Sequence, residues 1–203
     1  MQGMHSSPYI LGVTGGIGSG KSVVSHLLRL MGVPVYDCDR EAKRLMRESA
    51  SIREALIGVA GAEVYDASGQ LNRAYLASFM FGNPERVSLV NGIVHPVVRA
   101  DFRAWAQQSG KAVVAVESAI LFEAGMEADV DAVCLVHAPE AIRVQRAILR
   151  DGSNEKAVRS RMQSQLSEQE YMERADVIIH NDDAHSLIGQ VSSLLGSLTA
   201  EEA

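Results

Sequence analysis

Gly15-Gly16-Ile17-Gly18-Ser19-Gly20-Lys21-Ser22 decides the fold, because of what stands on either side of it. The apolar run Tyr9–Val13 precedes it, and Val23, Val24, Leu27, Leu28 and Leu30 follow at helical spacing. Strand, glycine loop, helix is the context in which GxxxxGK[ST] cradles phosphates. The glycines let successive backbone N–H groups turn inward, and the helix start adds favourable dipole charge. Lys21 is placed to reach the β- and γ-phosphates, and the Ser22 hydroxyl to ligate a Mg²⁺ ion bridging them. A glycine turn made for tight packing, or for a dinucleotide through GxGxxG, is the competing reading. The spacing does not fit GxGxxG, and Lys21-Ser22 would be idle in it, so a nucleoside triphosphate is expected.

Working outward, Gly32 stops the first helix, and Val33–Tyr36 reads as a second short strand leading through Asp37-Cys38-Asp39 into another helix. Strand signals return at Ala112–Val116, Val130–His137 and Val177–Ile179, and Pro139 opens a helix bearing Arg143, Arg146 and Arg150. Apolar strands separated by helical stretches predict an α/β fold, a buried parallel sheet with helices on both faces. The core is expected over 9–39 and 111–200. Residues 40–110 read as a mostly helical insertion with turns at Asp66–Gly69, Gly82-Asn83-Pro84 and His95-Pro96. Residues 146–166 read as a small lid. No internal repeat is evident, and the tail after Leu198 reads as frayed.

The chain has 203 residues, enough for one compact domain with inserted parts. Hydrophobic residues make up 47 % and charged ones 22 %, which excludes disorder as the default. A net charge of −6 argues against nucleic acid or anionic membrane as partner, so any anion site must be local. Cys38 and Cys134 stand far apart with no metal-ligand spacing, which suits a reducing cytoplasm. The start MQGMHSSPY has no leader-like basic and apolar pattern, and no run approaches a membrane span. A cytosolic monomer or weak homo-oligomer is expected.

No NKxD motif is present to read guanine, and the chain is too short for the coupling modules of a motor. A small-molecule kinase needs an acceptor-binding insertion, an acid near the attacking hydroxyl and cations over the phosphates. Asp37 and Asp39 follow the second strand, near the sheet edge where ligands bind in such folds. Asp39 either accepts the acceptor's proton or caps the helix that follows. Glu117 closes the third strand, where an acid commonly holds the Mg²⁺ shell through water; a surface charge is the plainer alternative. Arg146 and Arg150 share a helix face, and Asp151–Asn154 breaks the chain before Arg159 and Arg161. That pattern reads as a lid closing arginines onto the nucleotide, against a merely solvated basic face.

With these residues in hand, the chain resembles the dephospho-CoA kinase family from Tyr9 to about Leu195. The motifs carrying the likeness are TGGIGSGKS (Thr14–Ser22), YDCD (Tyr36–Asp39), NGIVHP (Asn91–Pro96), ILFEAG (Ile120–Gly125), RAILRD (Arg146–Asp151) and ADVIIHND (Ala175–Asp182), in the family's order. The resemblance implies a P-loop kinase fold and transfer of the ATP γ-phosphoryl, with Mg²⁺, to the ribose 3′-hydroxyl of dephospho-CoA. It implies Asp39 as base, Lys21 as phosphate lysine and Arg146 and Arg150 as lid arginines. Gly16, Ile17, Gly18, Ser19, Gly20, Lys21, Ser22 and Val23 would surround the phosphates. His95 and Leu121 would lie on the acceptor side, and Asn181 on the adenine side; His95-Pro96 as a helix start and Asn181 as a turn residue stay open. Three positions depart from the family: Val23 stands for its Thr, Ala119 for the Pro before Ile120, and Glu117 for a frequent Asp. A nucleoside or nucleotide kinase, and a nucleotide-dependent switch without transfer, are the other readings.

Overall fold

The computed structural model describes residues 7–200. The leader-like signals weighed above fall partly on residues 1–6, and the frayed tail largely on 201–203, outside the described residues. The described elements are β1 (Tyr9–Thr14), α1 (Lys21–Leu30), β2 (Val35–Asp37), α2 (Cys38–Glu48), α3 (Ala50–Ala60), α4 (Arg73–Met80), α5 (Pro84–Gln108), β3 (Val113–Glu117), β4 (Ala132–His137), α6 (Glu140–Asp151), α7 (Glu155–Met162), α8 (Glu168–Arg174), β5 (Val177–His180) and α9 (Leu187–Ala200).

The strands form one parallel sheet in the order β2-β3-β1-β4-β5, flanked by helices. β1 lies in the middle, with Tyr9 opposite Val113 on β3 and Leu11 opposite Ala132 on β4. Alternate residues Leu11, Val13, Val113, Ala115, Cys134, Val136 and Ile179 point to one face. There they meet Val24 and Leu28 of α1 and Val191, Leu194 and Leu198 of α9 in a single buried cluster. Residues of opposite parity, Val114, Val116, Val133 and Leu135, are buried too, as a two-sided sheet requires. No helix among the described residues is long and apolar enough to cross a membrane.

Two compact units divide the chain. One holds residues up to Tyr36 and from Ala106 onward, including most of the sheet; the other is Asp37–Trp105. The second unit is helical, with Ile52, Leu56, Val64 and Phe102 fully buried. Inside it, Tyr65 donates to the Met46 carbonyl at 2.6 Å, and Arg44 binds Glu41, Glu48 and Asp101. The Asp66–Gly69 turn forms as its residues predict, the Gly69 N–H donating to the Asp66 carbonyl. Asn83 accepts from the Arg86 N–H and Pro84 is the first helical residue, a normal helix start.

His95-Pro96 is neither a turn nor a helix start. Both residues lie well inside the 25-residue α5. Pro96 supplies no N–H to the Gly92 carbonyl four residues back, a defect that ordinarily kinks or ends a helix. The four-residue stripe Val90, Val94, Val98, Phe102 continues through it and is buried along its length, and that packing outweighs one missing bond.

Leu28 is fully buried, whereas Leu149 is 86 % exposed. Leu28→Ala is therefore expected to destabilise the fold by about 2–5 kcal/mol, and Leu149→Ala by no more than about 0.5 kcal/mol. Paired urea titrations measure both.

Candidate active site

The phosphate loop leaves β1 at Thr14 and delivers the chain to α1 through backbone that only glycine adopts freely. Gly18 (φ 78°) and Gly20 (φ 95°) have left-handed conformations. No side chain caps the start of α1, so its first turn is left open to an anion. Lys21 Nζ folds back onto the loop, donating to the Gly15 carbonyl at 2.7 Å and the Gly16 carbonyl at 3.3 Å. Ser22 is exposed at the second position of the helix. The Ser19 Oγ is buried with no hydrogen-bond partner among the described residues, the kind of orphan that a bound polar group satisfies.

Two side chains wall the loop. A Cβ on Gly16 would strike the Arg143 guanidinium, and one on Gly18 the Arg143 backbone carbonyl. A Cβ on Gly20 would strike the Asn181 amide. Asn181 is buried: its Nδ2 donates to the Ser19 carbonyl at 2.7 Å, and its N–H to the His137 carbonyl at 2.7 Å. Arg146 donates to the Asn181 carbonyl at 3.0 Å. Asn181 therefore buttresses the loop from the end of β5, a duty beyond that of an ordinary turn residue. Arg146 reaches the same wall.

Arg143, named in the sequence only as one arginine of a helix row, is the cation against the loop. Glu168 lies beside it, 3.6 Å from Arg143 Nη2 and 2.8 Å from His137 Nε2. Gln165 was not signalled by any motif, yet its Oε1 accepts from the Ile17 N–H at 2.8 Å. The Ile17 side chain packs on a small cluster of α6 and α7, Val144, Ala147 and Val158, together with Met162. An open cleft of about 540 Å³ runs past Arg143, Gln165, Glu168 and Arg159.

Other anticipated residues sit differently. Arg150 is exposed and forms an ion pair with Asp151 at 2.7 Å, and Arg161 binds the same carboxylate at 2.8 Å. Hydrogen bonds from Arg150 and then Arg161 hold the Asp151 carboxyl well below the usual range. Arg150 thus points to its neighbour and not to the loop. Val23 was expected among the residues around the phosphates; its N–H donates to the Gly20 carbonyl at 2.9 Å, within the helix's first turn. Leu121, expected to touch the acceptor, is fully buried, and its Cδ1 fills the space beside Gly12. It packs the sheet instead of presenting a surface.

Glu117 is the last residue of β3, in register with Val13 one residue before β1 ends, so it stands at the strand end adjoining the loop. Asp37 caps α2, accepting from the Arg40 N–H at 3.0 Å. Asp39 is therefore not the cap; it lies in the first turn of α2, exposed. His95 is half-buried in α5, and burial lowers its pKa.

A family model described as dephospho-CoA kinase matches residues 9–186. The dephospho-CoA kinase of Bacteroides fragilis is 43 % identical over 189 residues, 93 % of this chain and 92 % of that protein. A Thermus thermophilus crystal structure superposes with a TM-score of 0.79 at 33 % identity, covering 98 % of this chain and all of that one. Dephospho-CoA kinase from Campylobacter jejuni gives a TM-score of 0.70 over 96 % of this chain and 98 % of its own; at 21 % identity that likeness speaks for the fold alone.

The glycine geometry yields a paired test. Gly18→Ala meets both an unfavourable φ and a rigid carbonyl, so triphosphate affinity should fall about tenfold or more. Gly16→Ala meets only the movable end of Arg143 and should lose much less. Calorimetric titration with ATP separates the two, and equal losses would contradict the wall assigned to Arg143.

Proposed function

The chain belongs to the dephospho-CoA kinase family, and from that premise we propose that it transfers the γ-phosphoryl of ATP to the ribose 3′-hydroxyl of dephospho-CoA, giving CoA and ADP. Family membership over most of the chain supports the reaction, and the glycine cradle with Lys21 at its mouth supports the donor. The observation that bears most directly on chemistry is at the start of α2. Asp37 takes the capping duty, which leaves the Asp39 carboxylate uncommitted to the helix start.

In this reading the acceptor oxygen attacks the γ-phosphorus while its proton passes to Asp39. The bond from the γ-phosphorus to the β,γ-bridging oxygen breaks, and ADP leaves. Lys21 exchanges the Gly15 and Gly16 carbonyls for phosphate oxygens. Ser22 and Glu117 would hold Mg²⁺, which supplies charge compensation at the β- and γ-phosphates. The exposed Ser22 hydroxyl and the placement of Glu117 beside the end of β1 fit that duty. Arg146 steadies the loop through Asn181, and Arg150 acts on the nucleotide only after releasing Asp151. Residues 146–166 form the lid and 40–110 the acceptor-binding insertion, with His95 on the acceptor side. Two buried cysteines, neither in a disulfide, suit a cytoplasmic setting, where the protein works as a monomer or weak homo-oligomer.

An acceptor panel tests this directly. ADP release should be rapid with dephospho-CoA and absent with adenosine or nucleoside monophosphates; the reverse pattern would make the protein a nucleotide kinase. Asp39→Asn should lower kcat by about 10²–10⁴ with ATP affinity nearly intact. Lys21→Ala should weaken both ATP binding and turnover, and normal kinetics in that variant would refute the phosphate role.

A further inference from the structure

The reaction as read so far gives no task to Gln165, although its side chain stands at the apex of the phosphate loop. The Ile17 N–H can only donate, so the carboxamide atom facing it at 2.8 Å is the oxygen. That fixes the amide's orientation and turns its NH₂ toward the Ala119 carbonyl, 3.5 Å away. The same carbonyl receives the Tyr171 hydroxyl at 3.4 Å. Tyr171 is buried, and burial followed by the charge of Glu123 raises its pKa; its one hydroxyl proton is shared between that carbonyl and Glu123 Oε1 at 3.5 Å. One side chain thus joins the loop apex to the turn that leaves β3. Ile17 is held on its other side by the α6–α7 cluster through its own side chain.

We propose that Gln165 is a positioning residue of the phosphoryl transfer, its carboxamide locking the loop apex at Ile17 to the Ala119 turn so that the transferring group is aligned for attack. The proposal rests on the phosphotransfer reading above. Ground-state grip on the triphosphate comes from the remaining loop amides and from Lys21, whose ammonium lies on the Gly15 and Gly16 carbonyls. Loss of the bridge therefore leaves the nucleotide bound but lets the apex drift. In-line transfer tolerates little drift: a misplacement of about 1 Å costs about a hundredfold in rate. A residue that served only to stabilise the fold would behave differently, since its loss would lower melting temperature and ATP affinity together.

Gln165→Met keeps the length and bulk of the side chain and removes both hydrogen bonds. The expected result is a fall in kcat of about 10–100-fold, with the KM for ATP within about threefold and Tm within about 2 °C of the parent. ATP hydrolysed per CoA formed should rise, because water is less sensitive to alignment than the tethered acceptor. Gln165→Asn, too short to span Ile17 and Ala119 at once, should show the same split and serves if the Met variant does not fold. Gln169→Ala, on the exposed face of α8, is the control and should match the parent. An unchanged kcat in both Gln165 variants overturns the proposal while leaving the kinase reading intact. So does a parallel loss of kcat, ATP affinity and Tm. A parent protein that forms no CoA from dephospho-CoA and ATP overturns the kinase reading, and this proposal with it.

Discussion

The constraint on which the site depends is the close approach of two side chains to a loop with no room for a Cβ. Arg143 lies against Gly16 and Gly18, and the Asn181 amide lies against Gly20. A run of backbone N–H groups is a good anion receptor only if it keeps its curvature when empty, because otherwise binding must supply the ordering. Here the curvature is imposed from outside. Asn181 reaches from the end of β5 to the Ser19 carbonyl, and Gln165 reaches back to the Ile17 N–H. Gly18 and Gly20 are thus required twice, by their own dihedrals and by what presses on them.

Charge around this receptor is arranged with economy. Arg143, Arg146 and Lys21 stand at or near the loop, while Arg150 and Arg161 share one carboxylate, Asp151. The first group is poised on backbone carbonyls and Glu168; the second is partly offset in place, two guanidinium charges against one carboxylate. A protein of net charge −6 can therefore attract a polyanion locally without a basic surface at large.

Much of the core was legible because its signals are local. β1, the glycine loop and α1 are read from consecutive residues, and the structure places them where strand, loop and helix were expected, with β2 shifted by a residue or two. The five strands follow from apolar runs bounded by turn residues. What the sequence hid is long-range or is decided by competition. His95-Pro96 carries a turn signature, but a buried stripe on both sides of it keeps α5 helical. Asp37 and Asp39 are both good caps, and only the starting point of α2 selects between them. Arg143 and Arg150 look alike in a helix row, and their separate fates depend on which face of α6 meets the loop. Gln165 is 148 residues from Ile17, and no spacing rule connects them. The Ala119 carbonyl faces Gln165 and Tyr171 through contacts that a motif cannot encode.

The sheet order carries a consequence for how the molecule is made. β1 occupies the centre, yet its partners begin at Val113 and Ala132. On a ribosome adding about 5–20 residues each second, Leu11 and Val13 emerge about 5–20 s before either neighbour exists. During that interval the central strand of the sheet is bare, while the Asp37–Trp105 segment already has its own interior to fold around. Synthesis thus finishes the helical unit first and completes the sheet around the glycine loop last, so the nascent chain is exposed to misassociation at the very strand on which that sheet is later built.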